Sequence, residues 1–350
     1  MKQETFKILL IIGSWLLPFA SVAQDLHFSQ FMNSPLTTNP ANTGFIPDGD
    51  YRLGVNYRDQ WSNIMSVPYK TMSAYGDVQV MKNRSDNGWL GVGGVILKDV
   101  AGSGNLTSTK VYGSVAYHQT LGYSSLLSLG FNVGYVNKRI NLSELKFPDQ
   151  FDGKFFDNKL NSSAYSYLTN PSINYLDMQV GMNYAYFPTD KVYLNAGLSA
   201  HHVNRAKESF FSNDFEPAID NRIPMRMIGF LNGSFMLNDQ WIINPNAYVS
   251  MQAKSAEIVA GVNAHYNISG DGEYILIGGV YYRYKDAAIP MVGLGYKDFT
   301  FAFTYDATMS SLKNYNGTRG AFEFSLTKQG VFDQYNGNRR QSFCPTFKNL

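Results

Sequence analysis

The sequence predicts an all-β fold, a transmembrane antiparallel β-barrel of about 14 strands with short periplasmic turns and longer extracellular loops. Three observations carry that prediction: alternation with period two, an even number of strand-like segments, and connection lengths sorted by parity. Phe299, Phe301, Phe303 and Tyr305 alternate with Thr300, Ala302, Thr304 and Asp306. Leu176, Met178, Val180, Met182, Tyr184 and Tyr186 alternate with Asp177, Gln179, Gly181, Asn183 and Ala185. A strand that is apolar on one face and small or polar on the other has this period.

Taken in order, residues 1–23 read as a secretory signal. Lys2 and Lys7 bracket Glu4, an apolar run spans Ile8 to Phe19, and Ser21-Val22-Ala23 supplies small residues before a cut. Gln24 follows, not Cys, which argues against a lipid anchor there. No later segment reaches 18 consecutive apolar residues, so helical spans are not expected. Residues 24–50 carry Phe28, Phe31, Met32 and Leu36, then a turn at Asn39-Pro40-Ala41-Asn42-Thr43-Gly44. This stretch is expected to be a plug or a periplasmic lead-in.

Strand-like segments fall at 51–60, 69–81, 88–98, 109–119, 124–137, 174–187 and 191–201. Seven more follow at 225–237, 240–252, 256–267, 273–284, 287–296, 299–307 and 318–327. An even count brings both ends of the barrel, residues 51–327, to the periplasmic side, and leaves 328–350 as a periplasmic tail. The even-to-odd connections are tight: Asn83–Asn87, Leu121–Tyr123, Pro188–Lys191, Asn238–Gln240, Ser269–Gly272 and Lys297–Asp298. The odd-to-even ones include 61–68, 99–108, 138–173, 202–224 and 308–317. A soluble sandwich has no reason to sort its loops this way, and the expected location is the cell outer membrane.

Some elements fit less well. Pro245 lies in mid-strand and cannot donate to a ladder, which predicts a bulge or kink. Ile228-Gly229-Phe230-Leu231 breaks the alternation, and Ile275 and Ile277 turn inward if Leu276, Val280 and Tyr282 face lipid. Apolar inward residues imply protein packed inside. Tyr135, Tyr186, Tyr266 and Tyr284 suit interfacial girdles.

Composition narrows the function classes. Only 16% of residues are charged, whereas about a quarter is usual for soluble domains, and Tyr (24), Phe (24) and Gly (31) are abundant. The mean hydropathy of -0.22 does not point to helical spans, and barrels escape that measure because half of each strand is polar. A single cysteine, Cys344, excludes an internal disulfide framework. A net charge of +2 without a basic block gives no case for nucleic acid. No Gly-x-Ser-x-Gly, phosphate loop, His-Glu-x-x-His or zinc quartet occurs, so no catalytic, cofactor or metal residue is assigned. His201-His202 read as a solvated or loop-packing pair, and His118 and His265 as lumen hydrogen-bonders.

Asp77, Asp177, Asp306 and Glu323 fall on inward faces, with Arg283 similarly placed. Enclosed charges need water or partners. Two readings stand: Arg283 pairs with one or more of these carboxylates and fastens a plug, or the charges are scattered in lumen water. In the long loops, Phe147, Phe151, Phe155 and Phe156, and then Phe210, Phe211 and Phe215, either pack onto the barrel mouth or form a partner-docking surface. The tail segment Asn336–Arg340 either reaches a periplasmic subunit or is simply disordered.

Over the mature chain the sequence resembles the PorP/SprF family of type IX secretion system membrane proteins of the Bacteroidetes. The resemblance runs through Gln30-Phe31-Met32, Asn39-Pro40-Ala41, Gly44, Tyr51-Arg52, Tyr57-Arg58-Asp59-Gln60-Trp61, Tyr69, Thr71, Ser73 and Asp77. It continues through Ser114, Ala116-Tyr117-His118, Leu121, Asp177, Gly181, Tyr184, Gly197, Ser199 and His201-His202, where Val203-Asn204-Arg205 replaces the customary Pro. Gly278-Gly279, Tyr282-Arg283, Asp286-Ala287, Tyr305-Asp306, Ser310, Gly320, Glu323 and the ending Cys344-Pro345-x-Phe347 complete it. The resemblance implies a non-enzymatic outer-membrane component. It implies binding of periplasmic or lipoprotein machinery subunits, or support for secretion and surface anchoring of a large adhesin with a C-terminal sorting signal, as in gliding motility. The competing class is a diffusion pore or hydrophobic-ligand transporter.

Overall fold

Fourteen strands close into one antiparallel barrel in this computed structural model, each strand paired with its sequence neighbours and β1 with β14. The structure describes residues 27–332 except 48, 66, 82–87, 103, 146, 152, 156, 158, 159, 161, 169 and 211–220. The strands are β1 (Tyr51–Gln60), β2 (Tyr69–Val80), β3 (Gly88–Ala101), β4 (Leu106–Leu121), β5 (Ser125–Arg139), β6 (Ser172–Thr189) and β7 (Val192–His201). The second half comprises β8 (Arg226–Met236), β9 (Trp241–Gln252), β10 (Ser255–Asn267), β11 (Tyr274–Arg283), β12 (Ala287–Tyr296), β13 (Phe299–Thr308) and β14 (Ala321–Gly330). The signal segment and the tail with Cys344 and Asn336–Arg340 lie outside the described residues.

The period-two pattern sets which face each side chain takes. In β11, Leu276 is 50% exposed on the lipid side, while Ile277 is 4% exposed in the lumen. The outward stripe of β13 is Phe299, Phe301 and Tyr305, and that of β5 is Leu129, Phe131, Val133 and Tyr135. No helix among the described residues is long and apolar enough to cross a membrane. In β8, Ile228 and Phe230 are buried inside, and the glycine at 229 leaves the outward position to its neighbours Leu198 and Val249. Aromatic rings mark the rim of the short turns: Trp241 lies 4.7 Å from Tyr266, and Tyr274 lies 4.9 Å from Tyr296.

Three sequence expectations need correction. Pro245 causes no bulge: the β8–β9 register before and after it is the same, and only the pairs opposite Gly233 and Ser234 lapse. A missing N–H removes one ladder bond without requiring an extra residue. β3 and β4 run past their predicted ends, so the expected loop at 99–108 shrinks to a turn at 102–105. β14 starts and ends three residues late, because Thr318 (φ 66°) and Gly317 (φ 58°) still belong to the loop that follows the helical turn Lys313–Asn316. Pairing of Tyr51 with Gly330 then places the strand end.

Orientation follows from loop length: the end that carries the long connections 140–171, 202–225 and 309–320 is the outer one, although short turns at 102–105, 253–254 and 284–286 share it, and the other end is periplasmic. With Cys344→Ser as background, Tyr315→Cys in the β13–β14 loop and Tyr123→Cys in the β4–β5 turn are both highly exposed probes (87% and 90%). A membrane-impermeant maleimide applied to intact cells should label the first, and reach the second only after the outer membrane is permeabilised.

Candidate functional site

The lumen is occupied by the chain's own N-terminal segment. Residues 27–47 thread down the barrel as three short helical turns, Phe31–Asn33, Pro35–Thr38 and Pro40–Asn42, before the chain enters β1. Proline at the first helical positions of the last two turns costs no hydrogen bond, since those N–H groups have no helical acceptor. Phe28, Phe31, Leu36, Ala41, Phe45 and Ile46 are all buried.

The upper anchor lies at the outer end of the barrel. There the Ser29 and Gln30 backbone N–H groups donate to the two carboxylate oxygens of Glu323 at 2.7 and 2.9 Å. The Ser29 hydroxyl donates to Asp306 at 2.9 Å and accepts from Arg58 and Arg283. Arg58 also bridges Asp306 (3.0 Å) and Glu323, and Arg283 reaches Asp306 at 2.9 Å and Asp286 at 3.1 Å. Arg283 Nε lies 2.9 Å from Glu257, poorly aligned for a hydrogen bond but close enough for an ion pair, and His27 sits 3.2 Å from the same oxygen. Gln30 adds bonds to Thr304 (3.1 Å) and accepts from Ser325 (2.7 Å). Enclosed charges are tolerated when paired and hydrogen-bonded in this way.

A lower anchor lies at the periplasmic end. Arg52 grips Asp77 through two bonds of 3.0 and 2.7 Å, and Asp77 accepts the Gly44 N–H at 2.7 Å. Trp89 donates to the Gly44 carbonyl at 2.9 Å, and Gln79 to that of Ile46 at 2.8 Å. His118 Nε2 lies 2.8 Å from the Thr43 carbonyl and must carry the proton there, so Nδ1 accepts from the Ser128 hydroxyl at 2.7 Å. Gly44 has φ +67°, and a Cβ there would lie 2.3 Å from the Gly91 Cα. Between the anchors, Asn39 donates to the carbonyls of Met182 (2.9 Å) and Leu198 (3.2 Å), and a Cβ at Gly181 would stand 2.0 Å from its Oδ1.

The five charged residues read from the sequence thus divide among three places. Arg283, Asp306 and Glu323 share the upper cluster, whereas Asp77 belongs to the lower anchor with Arg52. Asp177 meets neither: it accepts from Tyr112 at 2.6 Å and lies 2.8 Å from His202, so His201-His202 is not a solvated pair. Arg52, Arg58 and Glu257 were missed, although each lies on the inward face of its strand, where period two makes it visible.

The outer loops are folded against one another. Lys138 reaches Glu208 at 2.7 Å, which also accepts from Tyr175 at 2.9 Å, and the Asn170 N–H donates to the Phe210 carbonyl at 3.3 Å. Phe147 packs edge-on against Tyr165, 5.4 Å away, while Phe151 and Phe155 stay exposed. Bonds from the Ser162 hydroxyl and the Ser163 N–H and hydroxyl hold the Asp149 carboxyl below its usual range. Phe156, Phe211 and Phe215 lie outside the described residues. Among those described, no group of His, Cys, Asp and Glu could hold a metal ion.

A closed barrel with a lipid-facing apolar band and a lumen occupied by its own N-terminal segment defines an outer-membrane β-barrel protein. The chain matches the family described as "Type IX secretion system membrane protein PorP/SprF" over residues 20–327, and it belongs to that family of non-catalytic membrane proteins. A search of curated proteins found no match. Among solved structures, the toluene transporter TodX of P. putida is similar at 13% identity and a TM-score of 0.51, covering 86% of this chain and 95% of that one. A FadL homologue of Pseudomonas aeruginosa is similar at 10% identity and a TM-score of 0.51, covering 84% and 93%. At these identities the likeness is one of fold.

Arg58→Ala strands Glu323 in the lumen without its guanidinium partner and leaves Asp306 with Arg283 alone. Removing one member of a buried ion pair costs about 3–5 kcal/mol. The temperature at which the purified barrel loses its compact mobility in unboiled electrophoresis should drop clearly below that of the parent.

Proposed function

We propose that this barrel serves type IX secretion by binding, with its lumen plugged: it holds machinery subunits, or a large secreted adhesin, at the outer membrane without conducting solutes. The observation that carries this reading is the double anchoring of residues 27–47. A segment fixed by Glu323 and Asp306 at one end and by Asp77 at the other obstructs the lumen from its outer to its periplasmic end. The docking surface is the outer loop pair joined by Lys138 and Glu208, where Phe151 and Phe155 project. Aromatic side chains on a pre-folded surface supply contact area at low entropic cost, as in many binding hot spots.

A transporter of hydrophobic ligands is the second reading, favoured by the fold shared with TodX. Against it stands the lumen left beside the segment, whose lining includes several asparagine carboxamides that a hydrocarbon would leave without partners.

The binding reading expects no steady pore conductance from purified protein in a planar bilayer. It also expects a variant lacking residues 142–160 to assemble, yet lose surface retention of type IX cargo in its native host. Large steady conductance, or full cargo retention by that variant, contradicts it.

A further inference from the structure

A chamber of about 330 Å³ remains inside the barrel, between the N-terminal segment and the wall formed by β7–β14 and β1. Thr300, Gln329, Tyr193 and His265 line it near the periplasmic strand ends, so it lies toward the periplasm, and Phe31 and Met32 of the segment bound it above. Its volume lies in the range of small-molecule sites.

The chemistry of the wall is specific. Asn195, Asn232 and Asn246 stand opposite one another across β7, β8 and β9, and Asn244 faces Asn263 across β9 and β10. Asn244, Asn263 and Tyr281 are joined by bonds of 2.9 and 2.6 Å. Asn195 and Asn232 are not: their Oδ1 atoms are buried without a hydrogen-bond partner among the described residues, and Asn195 is only 7% exposed. Leaving a buried amide unpaired costs about 1–3 kcal/mol, and turning either carboxamide toward the chamber would let a bound ligand supply the missing bond. Apolar surface comes from Phe230, Tyr193, Ile277 and Met291.

We propose that this chamber is a periplasm-facing binding site for a neutral or N-acetylated sugar of mono- or disaccharide size. Carboxamides satisfy vicinal hydroxyls as paired donors and acceptors, and aromatic walls cover the apolar face of a pyranose ring. Among the described lining residues Arg52 is the one formal charge, and it is committed to Asp77 and to the Asn42 carbonyl. A peptide end entering this blind chamber would bury its terminal charge without a counter-charge, which favours the uncharged ligand. The site goes beyond the secretion reading and does not depend on it.

The test uses full-length protein in lauryldimethylamine oxide, because glycoside detergents carry the competing headgroup. Saturation-transfer NMR titrations with N,N′-diacetylchitobiose and with maltose should show saturable binding of at least one. The Asn195→Ala/Asn232→Ala variant should bind roughly tenfold more weakly, while Asn137→Ala, at the outer end of β5, should bind as the parent does. Should the double variant fail to assemble, Asn232→Leu alone, which fills the chamber from a half-buried position, is expected to abolish binding. No saturable binding of either sugar overturns the proposal, as does binding that neither variant weakens. Occupation of the chamber by an end-capped tripeptide, with neither sugar binding, overturns it as well.

Discussion

The structure depends on the pairing of charges that the strand pattern turns into an enclosed lumen. Period two puts Arg58, Glu257, Arg283, Asp306 and Glu323 inside, and none of them can remain there unpartnered. Their mutual geometry leaves two guanidinium groups converging on Ser29, with the Glu323 carboxylate open to two consecutive backbone N–H groups. The wall therefore presents an acceptor that the consecutive N–H groups of Ser29 and Gln30 satisfy. The N-terminal segment is the polypeptide nearest at hand in sequence, entering from the strand that carries Arg58 itself.

The rest of the lumen is shaped to that segment, and its two sides differ. Toward β8–β12 an apolar patch of Ile228, Phe230, Tyr248, Ile277 and Met291 receives Phe31, whose ring stacks 5.1 Å from Tyr248, and the same wall carries Asn232, Asn244, Asn246 and Asn263 beside it. Toward β3–β7 it is closely approached and mixed: Ser114, His118, Asn183 and Ser199 bond residues 38–43, while Val95, Leu97 and Tyr112 cluster with Leu36, and Leu126 and Phe187 with Phe45. A barrel of eight strands fills with side chains alone, whereas a wider one needs an inserted element or water. Here the insertion runs from the outer end to the periplasmic end, so the chain preceding β1 does not stay on the side where β1 begins.

Much of this was legible in the sequence. Alternation at Phe299–Asp306 and Leu176–Tyr186 assigned faces correctly, and the inward Ile228, Phe230 and Ile277 pointed to protein packed inside. Height in the membrane and angular position around the barrel were not legible, because a period of two reports only the face. For that reason Asp77, Asp177 and Asp306 looked alike as inward carboxylates, although the first pairs with Arg52, the second with His202 and Tyr112, and only the third with Arg283. The late start of β14 escaped for a related reason: Thr318 and Gly320 suit a strand or a turn, and the ladder to β1 and β13 decides between them.

The central claim is that the N-terminal segment is a fixed part of the barrel interior, held by Glu323. Hydrogen–deuterium exchange at the Ser29 and Gln30 amides of the purified protein tests it most directly. The account predicts protection comparable to that of amides in β13 and β14, lost together with segment contacts in Glu323→Gln. Exchange at Ser29 and Gln30 as fast as in a free peptide would contradict it.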